Sequence, residues 1–97
     1  MIIRHVIVHG RVQGVGYRAW VENEALRRDL EGWVRNRRDG TVEAYFFGPE
    51  QIVTAMVEAC RVGPPAAHVV RVDANDGSSH LMDFVREGER FSVLKTV

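Results

Sequence analysis

Apolar residues recur along this chain in two rhythms. In Ile2–His9, Ile2, Val6 and Val8 share one parity, interrupted by Arg4, while Ile3, His5, Ile7 and His9 share the other. Apolar residues on both faces predict an internal strand. From Tyr17 to about Arg28 the rhythm becomes helical. Tyr17, Trp20, Val21 and Ala25 form one stripe for the core, and Glu22, Asn23, Glu24 and Arg27 face water. Alternation returns in Glu31–Arg37 and Thr41–Phe47, joined by Arg38-Asp39-Gly40, whose Asp-Gly pair predicts a hairpin. A second helix opens at Pro49-Glu50 and runs to about Arg61, with Ile52, Val53, Met56, Val57 and Cys60 on its apolar face. Gly63-Pro64-Pro65 stops it. Ala67–Ala74 reads as a fourth strand, with Val70 and Val72 on one face and Val69 and Arg71 on the other. The stretch Asn75–Gly88 is polar and uneven, and Leu81–Val85 within it fits a helical turn or a short strand equally. Phe91–Leu94 predicts a short last strand at an edge.

The order is β-α-β-β-α-β plus a short C-terminal strand. This is the α+β, ferredoxin-like split β-α-β pattern, a sandwich in which two right-handed crossovers lay both helices on one face of an antiparallel sheet. Ninety-seven residues are expected to make one domain, spanning 1–97. Thirteen basic and thirteen acidic side chains cancel, which argues against broad electrostatic attachment to nucleic acid or membrane. The one cysteine, Cys60, allows no internal disulfide and fits a reducing compartment; on the helix's apolar face it reads as an inert buried thiol. The polar Arg4-His5 close to the start speaks against a signal peptide, so a cytoplasmic protein is expected.

Chemistry concentrates in Gly10–Arg18, G-R-V-Q-G-V-G-Y-R, where the first strand gives way to the first helix. Glycines let the backbone turn its N–H groups inward, and the free N–H groups of a helix's first turn attract an anion. Arg18 adds a planar fork of donors suited to phosphate or carboxylate. The stretch is neither a Walker loop, lacking Lys-Ser or Lys-Thr, nor the G-x-G-x-x-G dinucleotide fingerprint. Arg11 reads as a solvated charge, and Tyr17 and Trp20 as core. His5 and His9 stand about 13 Å apart on one strand face, too far for one metal. No metal and no cofactor is expected.

A second stretch, Gly32–Gly48, reads G-W-V-R-N-R-R-D-G-T-V-E-A-Y-F-F-G. With the glycine loop it closely resembles the acylphosphatase family. The family's first signature is a V-Q-G-V loop ending in an aromatic residue and arginine. Its second is G-W-V-x-N followed by D-G-x-V and a closing glycine. The resemblance runs from Ile3 to about Asp73, and Phe91-Ser92-Val93 is similar to the family's last strand. Three features depart from the pattern. Arg28-Asp29 stands where the family ends the helix with Leu-Gly, which removes a core leucine. Tyr17 stands where phenylalanine is usual. Asn75–Gly88 is longer than usual.

The resemblance implies hydrolysis of the carboxyl-phosphate bond of a small-molecule acyl phosphate, without metal or phosphoenzyme. It implies that Arg18 and the backbone N–H groups of Val12, Gln13, Gly14, Val15, Gly16 and Tyr17 hold the phosphoryl oxygens, and that the Asn36 amide orients the attacking water. Residue by residue, Asn36 also reads as a turn-adjacent asparagine bonding its own backbone. The chemistry fits this substrate. A carboxylate leaves without protonation, so such a reaction needs charge stabilisation and an in-line water and no general acid. Two non-catalytic alternatives are an anion-binding domain and a single-stranded RNA-binding module. The latter would use Tyr45 and Phe47 with the basic cluster Arg27, Arg28, Arg35, Arg37 and Arg38, although the RNP signature is missing. A monomer is expected.

Overall fold

The computed structural model describes residues 1–97. Its elements are β1 (Ile2–Arg11), α1 (Tyr17–Arg27), β2 (Glu31–Asn36), β3 (Val42–Gly48), α2 (Glu50–Cys60), β4 (His68–Asp76), a 3-10 helix (Ser79–Phe84) and β5 (Phe91–Val93). The strands form one sheet in the order β4-β1-β3-β2-β5. Every neighbouring pair is antiparallel except β2 and β5, which are parallel, so the sheet is mixed where a purely antiparallel one was expected. The ambiguous Leu81–Val85 falls largely in the 3-10 helix.

Pleating divides the sheet into two unlike faces. Val6 pairs with Ala44 and Ala44 with Val34; Val8 pairs with Val42 and Val42 with Asn36. These rows face the helices, where Val6, Val8, Val34, Val42, Ala44 and Phe46 join Tyr17, Val21, Ala25, Val53, Met56, Val57 and Cys60 in one buried core. Asn36 ends a core-facing row, which shields part of it and points it toward the start of α1. On the opposite face His5 pairs with Tyr45 and Tyr45 with Trp33. The His5 ring packs tilted on Tyr45 at 4.8 Å between centroids, and Tyr45 stacks on Trp33 at 4.9 Å.

Trp33 is fully buried although it faces away from the helices. The 3-10 helix covers it: Nε1 donates to the Leu81 carbonyl at 2.8 Å, and Phe84 packs on the ring at 5.6 Å. The long Asn75–Gly88 segment thus lids the second sheet face. Such a lid also closes Tyr45, which is 2% exposed, so one of the two aromatic residues an RNA-binding module would use is covered. Arg27 and Arg28 pair with Glu24, and Arg35 with Glu43, which engages much of the basic cluster within the protein.

Local differences from the periodic pattern have local causes. The β1–β4 register shifts between His9 and Gly10, so His9 faces Arg71 while Gly10 faces Val69. Val70 is the extra residue of this bulge and stands 71% exposed, although alternation placed it with Val72; Val69 packs on the core instead. Gly10, at φ 126°, lies so close to β4 that a Cβ would meet the His68 carbonyl oxygen. Ile52, expected on the apolar face of α2, sits at its exposed margin. At the end of α1, Asp29 takes the left-handed conformation at φ 59°, and it is the one non-glycine residue with positive φ. Leu30, immediately after the cap, is fully buried in the core.

Candidate active site

One cleft of about 470 Å³ opens between the β1–α1 loop, the end of β2 and the segment leading into β5. Val12, Gln13, Gly14, Gly16, Tyr17, Arg18 and Asn36 all line it. The structure therefore brings together every residue the sequence nominated except Val15, whose side chain packs toward the core.

The loop's backbone turns on two glycines and leaves its donors free. Gly14 and Gly16 adopt positive φ, 74° and 79°, and nothing lies within 4 Å of where a Cβ would stand on either. Gly16 caps α1 in the left-handed conformation, with no side-chain cap bond and no acid in the first turn. The first helical bond is from the Trp20 N–H to the Gly16 carbonyl, at 3.0 Å. No protein acceptor takes the N–H groups of Val12 through Ala19. Such a run of unpaired donors at a helix start is costly unless something negative meets it.

The two side chains nominated for chemistry share that condition. Arg18 forms no ion pair or hydrogen bond within the protein, although neighbouring Arg27, Arg28 and Arg35 all do. Asn36 bonds none of its own backbone, as a turn-adjacent asparagine would. Its Oδ1 is the one buried side-chain oxygen or nitrogen in the molecule without a partner. The Asn36 backbone is held firmly: its carbonyl accepts from the Val97 N–H at 3.1 Å, and its strand pairs with Val42.

Tyr17 fixes the loop from below. Its hydroxyl donates to the Cys60 carbonyl at 2.6 Å, tying the start of α1 to the end of α2. Burial pushes the tyrosine pKa far up and the Cys60 thiol up to about 12, so both stay neutral. The hydroxyl that departs from the family pattern is thus a structural tie directed away from the cleft.

Sequence reasoning missed Glu22, Arg86 and Glu89, which complete the lining together with Ala19 and Val93. Glu22 follows Arg18 by four residues, and that helical spacing was a usable signal. Arg86 and Glu89 had none, because they arrive from the polar segment. Ser92, itself fully buried, places them by accepting from the Arg86 N–H at 2.9 Å and donating to Glu89 Oε1 at 2.6 Å.

Comparison with known proteins agrees with this architecture. The acylphosphatase family model matches residues 4–89. An acylphosphatase of Rhodopseudomonas palustris (strain BisB18) is 56% identical over 96 residues, which cover 99% of this chain and 97% of that protein. The crystal structure of acylphosphatase from Bacillus subtilis superposes with a TM-score of 0.83 at 42% identity, over 97% of this chain and 99% of that one. The fold also matches 12% of full-length HypF, in a phosphate- and nucleotide-bound crystal structure, with a TM-score of 0.79 at 26% identity and 98% of this chain covered. No helix is long and apolar enough to cross a membrane. With both signature stretches meeting at one cleft and the family model spanning most of its length, this chain belongs to the acylphosphatase family.

Proposed function

We propose that the chain hydrolyses the carboxyl-phosphate bond of a small acyl phosphate in this cleft, releasing carboxylate and inorganic phosphate. The reading rests above all on one feature: Val12–Gly14 and Gly16–Ala19, whose N–H groups have no acceptor in the protein, line the same cleft as the unpaired Arg18 and Asn36 side chains. In this mechanism the loop amides and Arg18 hold the phosphoryl oxygens and stabilise the charge that grows on them. The Asn36 side-chain amide holds the water and aims its oxygen at phosphorus, opposite the leaving carboxylate. The P–O bond to the acyl group breaks with its electron pair left on the carboxylate, and the water proton passes to solvent or product. We further read residues 1–97 as one domain, acting as a monomer in the cytoplasm.

Acetyl phosphate hydrolysed in oxygen-18 water tests the direction of attack. Label in the phosphate supports it, and label in the acetate overturns it. Asn36→Ala is expected to lower kcat about 10²-fold with KM moving less than about 3-fold, the signature of a group that acts on the reacting water. A change in KM alone would contradict that role.

A further inference from the structure

We infer that Gln13 is a positioning residue that sets Asn36 against the anion loop; the inference rests on the acyl phosphate reading above. The Gln13 side chain leaves the loop and crosses to the β2–β3 hairpin. Its Nε2 donates to the carbonyl oxygens of Arg37, at 2.7 Å, and Thr41, at 2.8 Å. Arg37 directly follows Asn36, and Thr41 directly precedes Val42, the ladder partner of Asn36. The two hydrogens of one amide group therefore grip both sides of the hairpin's turn, beside the water-positioning residue. The backbone of the same Gln13 belongs to the phosphate loop, so phosphoryl and water sites are joined through a single residue.

Chemistry restricts what could replace it. Glutamate has the same length but no hydrogen to donate, and would set a charge against two carbonyl oxygens. Leucine has similar bulk and no donor. The grip is separable from folding, because both carbonyls keep backbone partners without it. Arg37 O also accepts from the Gly40 N–H at 3.1 Å, and Thr41 O from the Arg37 N–H at 2.9 Å. Loss of Gln13 thus leaves the hairpin formed and lets its position over the loop drift.

A double-mutant cycle tests this with benzoyl phosphate as substrate and inorganic phosphate as competitive inhibitor. Gln13→Leu is expected to lower kcat about 10- to 100-fold, the range for a sub-ångström to 1 Å misplacement. Phosphate inhibition should change less than about 3-fold, since Arg18 and the loop amides remain. In an Asn36→Ala background the same substitution should cost less than about 2-fold, because nothing is left to position. Gln13→Glu, which preserves length, should repeat the pattern. An active wild type with equal losses in both backgrounds, or with phosphate inhibition weakening in step with kcat, overturns this inference alone. An inactive wild type overturns the acyl phosphate reading and this inference with it.

Discussion

Polar groups on the two sides of the sheet live under opposite conditions. Around the cleft, Arg18, the Asn36 Oδ1 and a run of loop N–H groups have no partner in the protein. On the far face, Glu43 accepts from Arg35 at 2.7 Å and bonds His5 at 2.6 Å, and Arg35 lies 4.8 Å over the Trp33 ring. Each far-face group satisfies its neighbour, as half-buried charges must in order to persist. The lesson is that polarity alone does not mark a site. Polarity that converges on one cleft without a protein partner does, because water, a ligand or a transition state must then supply the missing half.

The contrast can be broken from either side. Arg18→Ala should cut turnover about 10²- to 10³-fold, the scale for one lost transition-state donor. Stability should hold or rise by a few tenths of a kcal/mol, because a cation at a helix start opposes the dipole. Steady-state kinetics beside thermal unfolding reads both. Trp33→Ala should do the reverse. It removes a ring buried between Tyr45 and Phe84 and costs about 3 kcal/mol, while turnover per folded molecule stays near wild type.

Glu43 sharpens the comparison through pH. Burial alone would raise its pKa, but hydrogen bonds from His5 and Arg35 outweigh it and hold the carboxyl below the usual range. A carboxyl lower in the folded than in the unfolded chain stabilises the fold above its unfolded pKa, near 4.3, and that stability fades as pH falls through the folded value. Denaturant midpoints should therefore drop on acidification from pH 5, and drop less in Glu43→Gln. The smallest effect belongs to the helix end. Asp29→Gly relieves a left-handed residue and should stabilise by about 0.5 kcal/mol or a little more. The Arg90 pair it loses is largely exposed and weighs little.

Most of the fold was legible because each helix and strand carries its own period, and both signature loops are local in sequence. What was hidden depends on partners far along the chain. The bulge that turns Val70 outward exists only once β1 pairs with β4. The burial of Trp33 is set by Leu81, 48 residues on, within a segment whose composition reads as solvent-exposed loop. The site was legible as a set of residues and silent on their arrangement. Arg18 and Asn36 could be named from motifs, but the Gln13 side chain spanning 24 residues to Arg37 leaves no periodic trace. The same holds for Arg86 and Glu89, delivered to the cleft by Ser92.

The central claim is that the unpaired donors of the β1–α1 cleft perform the hydrolysis. The most direct test is benzoyl phosphate hydrolysis in EDTA by wild type beside a folded Arg18→Ala variant. The account predicts rapid wild-type turnover that the chelator leaves unchanged and the variant lacks. A folded wild type without turnover, or an Arg18→Ala variant as fast as wild type, would contradict it.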